Sequence, residues 1–348
     1  MHRSILAPAA ALLLLACGSD APTPYEPVPV SDADRARAEQ LLADLWEPLP
    51  ENWEWRYFEI APGGDLRWGV GGNLEAEETI LFIPGFTGTI EYYTDFLARW
   101  TADGYRVVAV DMPGQGGSVR NPDAYQKPWS NDLDDYADVM AAFIDHVGER
   151  FPGNLTVIGE SLGGAVLANA ASRHDLKAER VILHVPGLDV NFGEMPRWFG
   201  KLLAHGVAAL GGANAYVNNG ADWSLDWYET EEDSGCRVDP EKLNVAYAIT
   251  ALNPDYRIGD ATFGLVSAML TSGAALEKKG AAAIPQPVTL ITATNDLLVR
   301  NDRAIALCAP EGFGDCTHIE IESGHCLSFE DPETQERFYA AVESAIGK

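Results

Sequence analysis

Between the run Leu155-Thr156-Val157-Ile158 and the run Ala165-Val166-Leu167-Ala168-Asn169-Ala170-Ala171 the chain reads Gly159-Glu160-Ser161-Leu162-Gly163. The first run is apolar and β-branched, which suits a buried strand. The second is made of helix formers. The pattern therefore predicts a strand that turns sharply into a helix, with Ser161 at the apex. Flanking glycines are what such a turn needs, because a Cβ there would strike the neighbouring strand or helix. The serine of a turn like this is held in a strained backbone conformation, with its hydroxyl exposed above the sheet. Gly-x-Ser-x-Gly alone would fit a glycine-rich loop equally well; its weight here comes from the strand before it and the helix after it.

The same strand-then-helix unit repeats along the chain after about residue 53. Thr79-Ile80-Leu81-Phe82-Ile83 predicts a strand running into Pro84-Gly85-Phe86-Thr87-Gly88, followed by a helix over Glu91–Ala102. Tyr105–Val110 is the next strand and leads into Asp111-Met112-Pro113-Gly114-Gln115-Gly116-Gly117-Ser118. Leu133, Tyr136, Ala137, Met140, Ile144 and Val147 recur at helical spacing over Leu133–Arg150. Val181–Val185 and Val288–Thr292 predict further central strands, His318–Ile321 a last, shorter one, and Pro332–Ile346 a closing helix. Such alternation predicts an α/β fold with a mostly parallel central sheet flanked by helices. The rhythm breaks between Val190 and about Phe263, a stretch rich in Trp, Tyr, Asn and Gly with helical fragments around Trp198–Ala209 and Pro240–Ala251. Structureless connections of that length are uncommon. Residues 191–263 are therefore expected to form an inserted, mainly helical cap, and residues 51–190 and 264–348 the core.

The 348 residues include 52 Asp and Glu against 24 Lys and Arg, a net charge of −28. That surface repels phosphate backbones, so nucleic-acid binding is disfavoured. A hydrophobic content of 47% supports an ordinary buried core. The N-terminus reads as a targeting segment: a basic His2-Arg3, then an apolar Ile5–Leu15, too short to span a bilayer. It ends Leu14-Leu15-Ala16-Cys17, which looks like a bacterial lipobox, with an ordinary secretory peptide as the alternative. On the first reading residues 1–16 are a lipoprotein signal peptide and Cys17 is acylated, anchoring the chain in a bacterial cell envelope. The absence of an aspartate directly after Cys17 favours the outer membrane. Pro22, Pro24, Pro27 and Pro29, within an anchor and N-terminal segment over residues 17–50, suggest a stiff tether lifting the domain off the lipid. An oxidising envelope permits disulfides. Cys308 and Cys316 flank a Pro/Gly loop that a bond would close, which leaves Cys236 with Cys326 as the complementary guess. Metal-ligand spacings such as C-x-x-C or H-x-x-x-H are absent, and no metal or cofactor is expected.

A serine hydroxyl becomes a useful nucleophile only when an imidazole takes its proton, and that imidazole needs a carboxylate to fix its tautomer. Downstream of Ser161 the chain offers Asp296 just past the Val288–Thr292 strand and His325 just past the His318–Ile321 strand. Ser161, Asp296 and His325 are therefore the candidate catalytic residues. Asp302 lies deeper, where it would cap a helix; His318 begins a strand at the wrong sheet edge; His184 lies within a strand and suits the core; His146 and His174 sit on helices and suit solvent. A developing oxyanion needs two N–H donors, for which the backbone of Leu162 and of Phe86 are the candidates.

With these residues in place the chain resembles the α/β-hydrolase superfamily, and within it the lysophospholipase and monoacylglycerol-lipase group, also labelled serine aminopeptidase-like. The resemblance runs from about residue 78 to the C-terminus. It is carried by the 84–88 and 111–118 blocks, the Ser161 turn, and Ser323-Gly324-His325-Cys326-Leu327-Ser328-Phe329-Glu330. Asn253-Pro254, Gly259 and Thr262-Phe263-Gly264 are similar to a block in bacterial lysophospholipase L2-type proteins. The chain departs from the group at Pro84, where a histidine is usual, and at Leu265, where a tryptophan is usual.

The resemblance implies a serine hydrolase that cleaves carboxylic esters of single-chain lipids, lysophospholipids or monoacylglycerols, through an acyl-enzyme. Its partners would be that small lipid substrate and, through the anchor, a membrane. Trp198, Phe199, Trp223, Trp227 and Tyr228 would wall an acyl site, unless they serve cap-to-core packing. Two alternatives remain. One is an aminopeptidase or amidase on the same triad, with Glu229, Glu231, Glu232 and Asp233 holding a free amine; the other is a non-catalytic ligand-binding lipoprotein. Activity is expected to fall at acid pH as His325 takes up a proton.

Overall fold

The computed structural model describes residues 25–60, 63–121, 123–228, 240–280, 283–309 and 312–347. The expected signal peptide, Cys17, Cys236 and the acidic run from Glu229 to Asp233 lie outside them. In chain order the described strands are β1 (Glu54–Glu59), β2 (Asp65–Gly72), β3 (Glu78–Ile83), β4 (Arg106–Val110), β5 (Asn154–Glu160), β6 (Arg180–His184), β7 (Val288–Ala293) and β8 (Cys316–Ile321). The runs of β3 to β7 are almost continuously aliphatic and buried, as strands covered by helices on both faces must be. The strands form one sheet in the order β1-β2-β4-β3-β5-β6-β7-β8. The β1–β2 and β2–β4 pairs are antiparallel and all the others parallel.

One face of the sheet is covered by α2 (Thr94–Ala102) and the last helix, Pro332–Ile346. Phe96 and Trp100 interlock with Phe338 and Tyr339 there, the Phe96 and Phe338 rings stacking at 5.2 Å. The other face carries α3 (Leu133–Arg150), α4 (Leu162–Arg173) and a long helix over Phe263–Lys279. Helix starts are marked by side-chain caps: Asp132 accepts from Asp134 N–H, Thr262 from Leu265 N–H, and Asp331 from Glu333 and Thr334 N–H. The expected α/β arrangement is the one observed. Three local expectations need correction. The helix over 91–102 opens with a 3-10 turn, Ile90–Tyr93; β8 starts at Cys316 and matches β7 in length; and two antiparallel strands precede the parallel sheet. Cys308 and Cys316 are disulfide-bonded, tying the short helix Asn301–Leu307 to the start of β8.

Between β6 and β7 come α5 (Arg197–Val207), a π turn (Ala208–Gly212), α6 (Pro240–Leu252), a 3-10 turn (Pro254–Tyr256), α7 (Phe263–Lys279) and then the sheet again. Of the prolines in the expected stiff tether, Pro22 and Pro24 lie outside the described residues. From Tyr25 onward the chain lies against the domain: Tyr25 stacks on Tyr125 at 4.1 Å and donates to Pro254 O in the insertion, and Val28 O accepts from Arg257 Nη1 at 2.6 Å. Ser31 then caps α1 (Asp32–Leu45), which packs on α6 through a contact small enough to need alanine, with Ala38 buried beside Ala248 and Ala251. Trp227 closes the pair, donating from Nε1 to Asp34 while Arg37 lies over its ring.

That contact leaves no room for a larger side chain. Ala38→Leu is expected to lower unfolding stability by about 1–3 kcal/mol in urea titrations. Ala36→Leu, on the exposed face of the same helix, is expected to stay within about 0.5 kcal/mol of wild type.

Candidate active site

Ser161 sits where β5 ends and α4 begins, with φ 52° and ψ −113°, a backbone state that costs a non-glycine residue of order 1–3 kcal/mol. It is held there from below: its N–H donates to His184 O at 2.9 Å, and its carbonyl accepts from Gly187 N–H at 2.8 Å. The flanking glycines are required by contact. A Cβ on Gly159 would lie 2.6 Å from Gly163 O, and one on Gly163 would lie 2.4 Å from Pro84 O.

The other two candidates are delivered by loops that continue the parallel pairing of β7 and β8 past the strand ends. Thr294 N–H donates to Ile321 O and Asn295 N–H to Ser323 O, each at 3.0 Å. This brings residues 296 and 325 together. Asp296 is oriented by its own loop, its Oδ1 accepting from Leu298 N–H at 2.9 Å and Val299 N–H at 2.8 Å. Its Oδ2 is left for His325 Nδ1 at 2.7 Å, and His325 Nε2 lies 2.8 Å from Ser161 Oγ. The aspartate and histidine side chains are almost wholly buried, so solvent competes little for these bonds. The rejected alternatives lie elsewhere. His318 bonds Thr292, His174 pairs with Asp138, and Asp302 pairs with Arg300 in the first turn of the Asn301–Leu307 helix. His146 is a departure from expectation, packed among Phe58, Trp68 and Phe143.

Among the described residues, neither Phe86 N–H nor Leu162 N–H has a hydrogen-bond acceptor. Leu162 opens α4, where the helix dipole adds positive potential. Phe86 is held by a device that the sequence does not disclose. The amide of Gln115 bridges the peptides on either side of it, Oε1 accepting from Thr87 N–H at 2.7 Å and Nε2 donating to Gly85 O at 3.0 Å. Gly85 N–H is in addition 3.4 Å from Tyr93 Oη, which donates to Glu160 Oε1 at 3.0 Å. Burial and the Glu160 carboxylate raise the Tyr93 phenol well above its ordinary pKa, so it remains a donor. Beyond the loop, Asp111 accepts from Ile90 and Gly117 N–H, and Arg67 joins Asp111 to Glu91. Burial works against both carboxylates; Arg67 outweighs it at Glu91, whose pKa falls, but not at Asp111, whose pKa is raised. Gln115 lies in the 111–118 block that carries part of the resemblance, and a polar amide among its glycines is the one available signal.

Ser161, His325 and Phe86 open onto a cavity of about 550 Å³ between the sheet edge and the insertion. Its walls mix apolar side chains (Leu243, Ile258, Leu298, Phe329) with the carboxylates of Asp222 and Asp226. Of the aromatic residues expected to wall it, Trp223 and Tyr228 do so. Trp227 packs on α1, and Trp198 and Phe199 face solvent. Leu265 is buried in the main core and does not shape the cavity. Among the described residues no three His, Cys, Asp or Glu are grouped to hold a metal ion, and no helix is long and apolar enough to cross a membrane.

The family described as Hydrolase_4, serine aminopeptidase S33, matches residues 75–332. Solved structures share the fold at low identity. A soluble variant of monoglyceride lipase from Saccharomyces cerevisiae superposes with a TM-score of 0.64 at 14% identity, covering 87% of this chain and 98% of that one. A monoacylglycerol lipase from Paleococcus ferrophilus gives 0.57 at 21%, covering 80% and 97%. Among curated proteins, the dihydrolipoyllysine-residue acetyltransferase component of an acetoin cleaving system from Cupriavidus necator is 35% identical over 117 residues, 34% of this chain and 28% of that protein. The chain spans about a quarter of the length of the curated relatives it matches.

If Gln115 sets the position of the Phe86 N–H, Gln115→Ala should slow labelling of Ser161 by a fluorophosphonate by about tenfold, less than the 10²–10³ typical of losing an oxyanion donor outright. The loss would be read from labelling time courses, with thermal unfolding checking that the fold persists.

Proposed function

The chain belongs to the serine aminopeptidase S33 family of α/β hydrolases, and on that premise we propose that it cleaves carboxylic esters of single-chain lipids by an acyl-enzyme mechanism. The observation that carries this reading is the unbroken line of hydrogen bonds from Ser161 through His325 to Asp296, opening onto a cavity with two unused N–H donors. Ser161 Oγ attacks the ester carbonyl and its proton passes to His325 Nε2. Asp296 holds the imidazole in the tautomer that leaves Nε2 free to accept, and steadies the imidazolium. The oxyanion is received by Phe86 and Leu162 N–H. His325 returns the proton to the departing alcohol, and water then repeats the sequence to release the acid. The cavity falls within the size range of small-molecule sites, and its apolar wall suits one acyl chain.

The neighbouring carboxylates favour a second reading. Asp222 and Asp226 line the same cavity, and a free amino terminus could be held there, as an aminopeptidase requires. Envelope anchoring through Cys17 belongs to the proposal and rests on Leu14-Leu15-Ala16-Cys17 alone. Loss of fatty-acid incorporation in Cys17→Ala cells would support it, and unchanged incorporation would remove it.

Wild type is expected to react with a fluorophosphonate probe and Ser161→Ala not to; an unreactive wild type would instead fit a ligand-binding protein. Turnover of lysophosphatidylcholine, a monoacylglycerol and an aminoacyl amide then separates ester from amide chemistry. Asp296→Asn should lower kcat by about 10⁴-fold, as loss of the correct imidazole tautomer does in other serine hydrolases.

A further inference from the structure

We propose that the outer face of α5 and the turn that follows it form a docking surface for the zwitterionic face of a phospholipid bilayer, placed beside the mouth of the cavity. A surface helix ordinarily turns its apolar stripe inward and its charges outward. α5 does the reverse. Arg197 and Lys201, one turn apart, both reach the fully buried carboxylate of Asp189, Lys201 Nζ lying 3.4 Å from Oδ2. Its remaining inward contacts are made by small residues. Gly200 lies against the Phe192 ring, and Ala204 packs on Val266 and Leu270. The large apolar side chains are left outside: Trp198 is 69% exposed, Leu202 61% and, on the π turn, Leu210 80%. Single exposed apolar residues need no explanation, but a contiguous group marks an interaction site.

Charge selects the partner. The chain carries 52 Asp and Glu in 348 residues, yet none occurs from Met195 to Ala221. α5 and its turn therefore contribute no carboxylate to the surface of a molecule whose net charge is −28. A second copy would bring the same large negative charge to the contact, and an anionic bilayer would be repelled by the rest of the surface. A zwitterionic lipid surface meets neither obstacle. Position points the same way. The chain leading into α5 is stitched to the loop carrying Asp296, with Asn191 N–H donating to Leu298 O at 3.0 Å and Val190 bridging Val299. Leu298 both lines the cavity and is exposed, with Leu297 exposed beside it. Exposed leucines at the rim of the cavity are thus tied to the chain that leads into α5. The purpose of the surface rests on the ester reading above, but its existence does not.

The test uses the full chain bound to vesicles of phosphatidylcholine containing brominated acyl chains, which quench only tryptophans that enter the bilayer. Wild type is expected to show quenching that falls at least twofold in Trp198→Phe. An N-terminal anchor would hold both proteins on the vesicle without producing that difference. The triple variant Trp198→Ser/Leu202→Ser/Leu210→Ser is expected to lose at least tenfold in hydrolysis of monoacylglycerol embedded in the vesicles, and to keep its rate on a soluble short-chain ester. Equal quenching in wild type and Trp198→Phe would overturn the proposal. So would a wild type that sediments as a dimer while the triple variant is a monomer, since the face would then be a contact between copies. Quenching at Trp198 without hydrolysis of any ester would leave the docking surface standing and remove the ester reading.

Discussion

At Ser161 the end of β5 and the first helical turn pass so close that backbone touches backbone, with the Gly163 carbonyl and Gly164 Cα occupying the space where Gly159 would carry a side chain. Everything on the upper face depends on that approach. It lifts the serine clear of the sheet, aims the first free N–H of α4 at the space above it, and presses the Pro84–Gly88 loop against the turn, so that a Cβ on Gly85 would lie 3.2 Å from Ser161 Cβ. The strained φ and ψ of Ser161 are sustained by the bonds to His184 and Gly187 beneath it. Strain of this kind persists only where the surrounding structure over-determines it.

The remaining groups arrive by two different means. Asp296 and His325 come on loops that prolong strand pairing, so their meeting follows from the register of β7 and β8. The Phe86 loop has no such ladder. It is held by side chains, Gln115 from the loop after β4 and Tyr93 braced on Glu160. The first arrangement inherits its accuracy from the sheet. The second depends on individual polar contacts, each made in a buried setting where an unmet partner is costly.

The contrast also explains what could be read from the amino acids. The central strands were legible because strands buried on both faces are continuous aliphatic runs, and α3 because its apolar residues recur at helical spacing. Ser161, Asp296 and His325 could be named because each follows such a strand. β1 was not legible, being an exposed edge strand of mixed character, and neither was β2, whose Gly69 and Gly71 read as loop residues although they make room for Trp53. α1 escaped notice because its seat on α6 is made by alanine rather than by a stripe of large apolar side chains. The direction in which α5 turns its aromatic residues could not be inferred either, since it is set by one distant carboxylate, Asp189. Gln115 was hidden for a related reason: its role is a matter of position, which residue type does not encode.

The seating of α1 has a consequence for how the molecule assembles. Val28 meets Arg257 across a sequence separation of 229 residues, and Tyr25 meets Pro254 across the same span. Contacts that close so long a loop form only after the intervening chain has been made and ordered. The segment from Tyr25 through α1 must therefore wait, without its partner, until well over two hundred further residues have followed. It is the last latch to shut on a domain that has otherwise already taken shape.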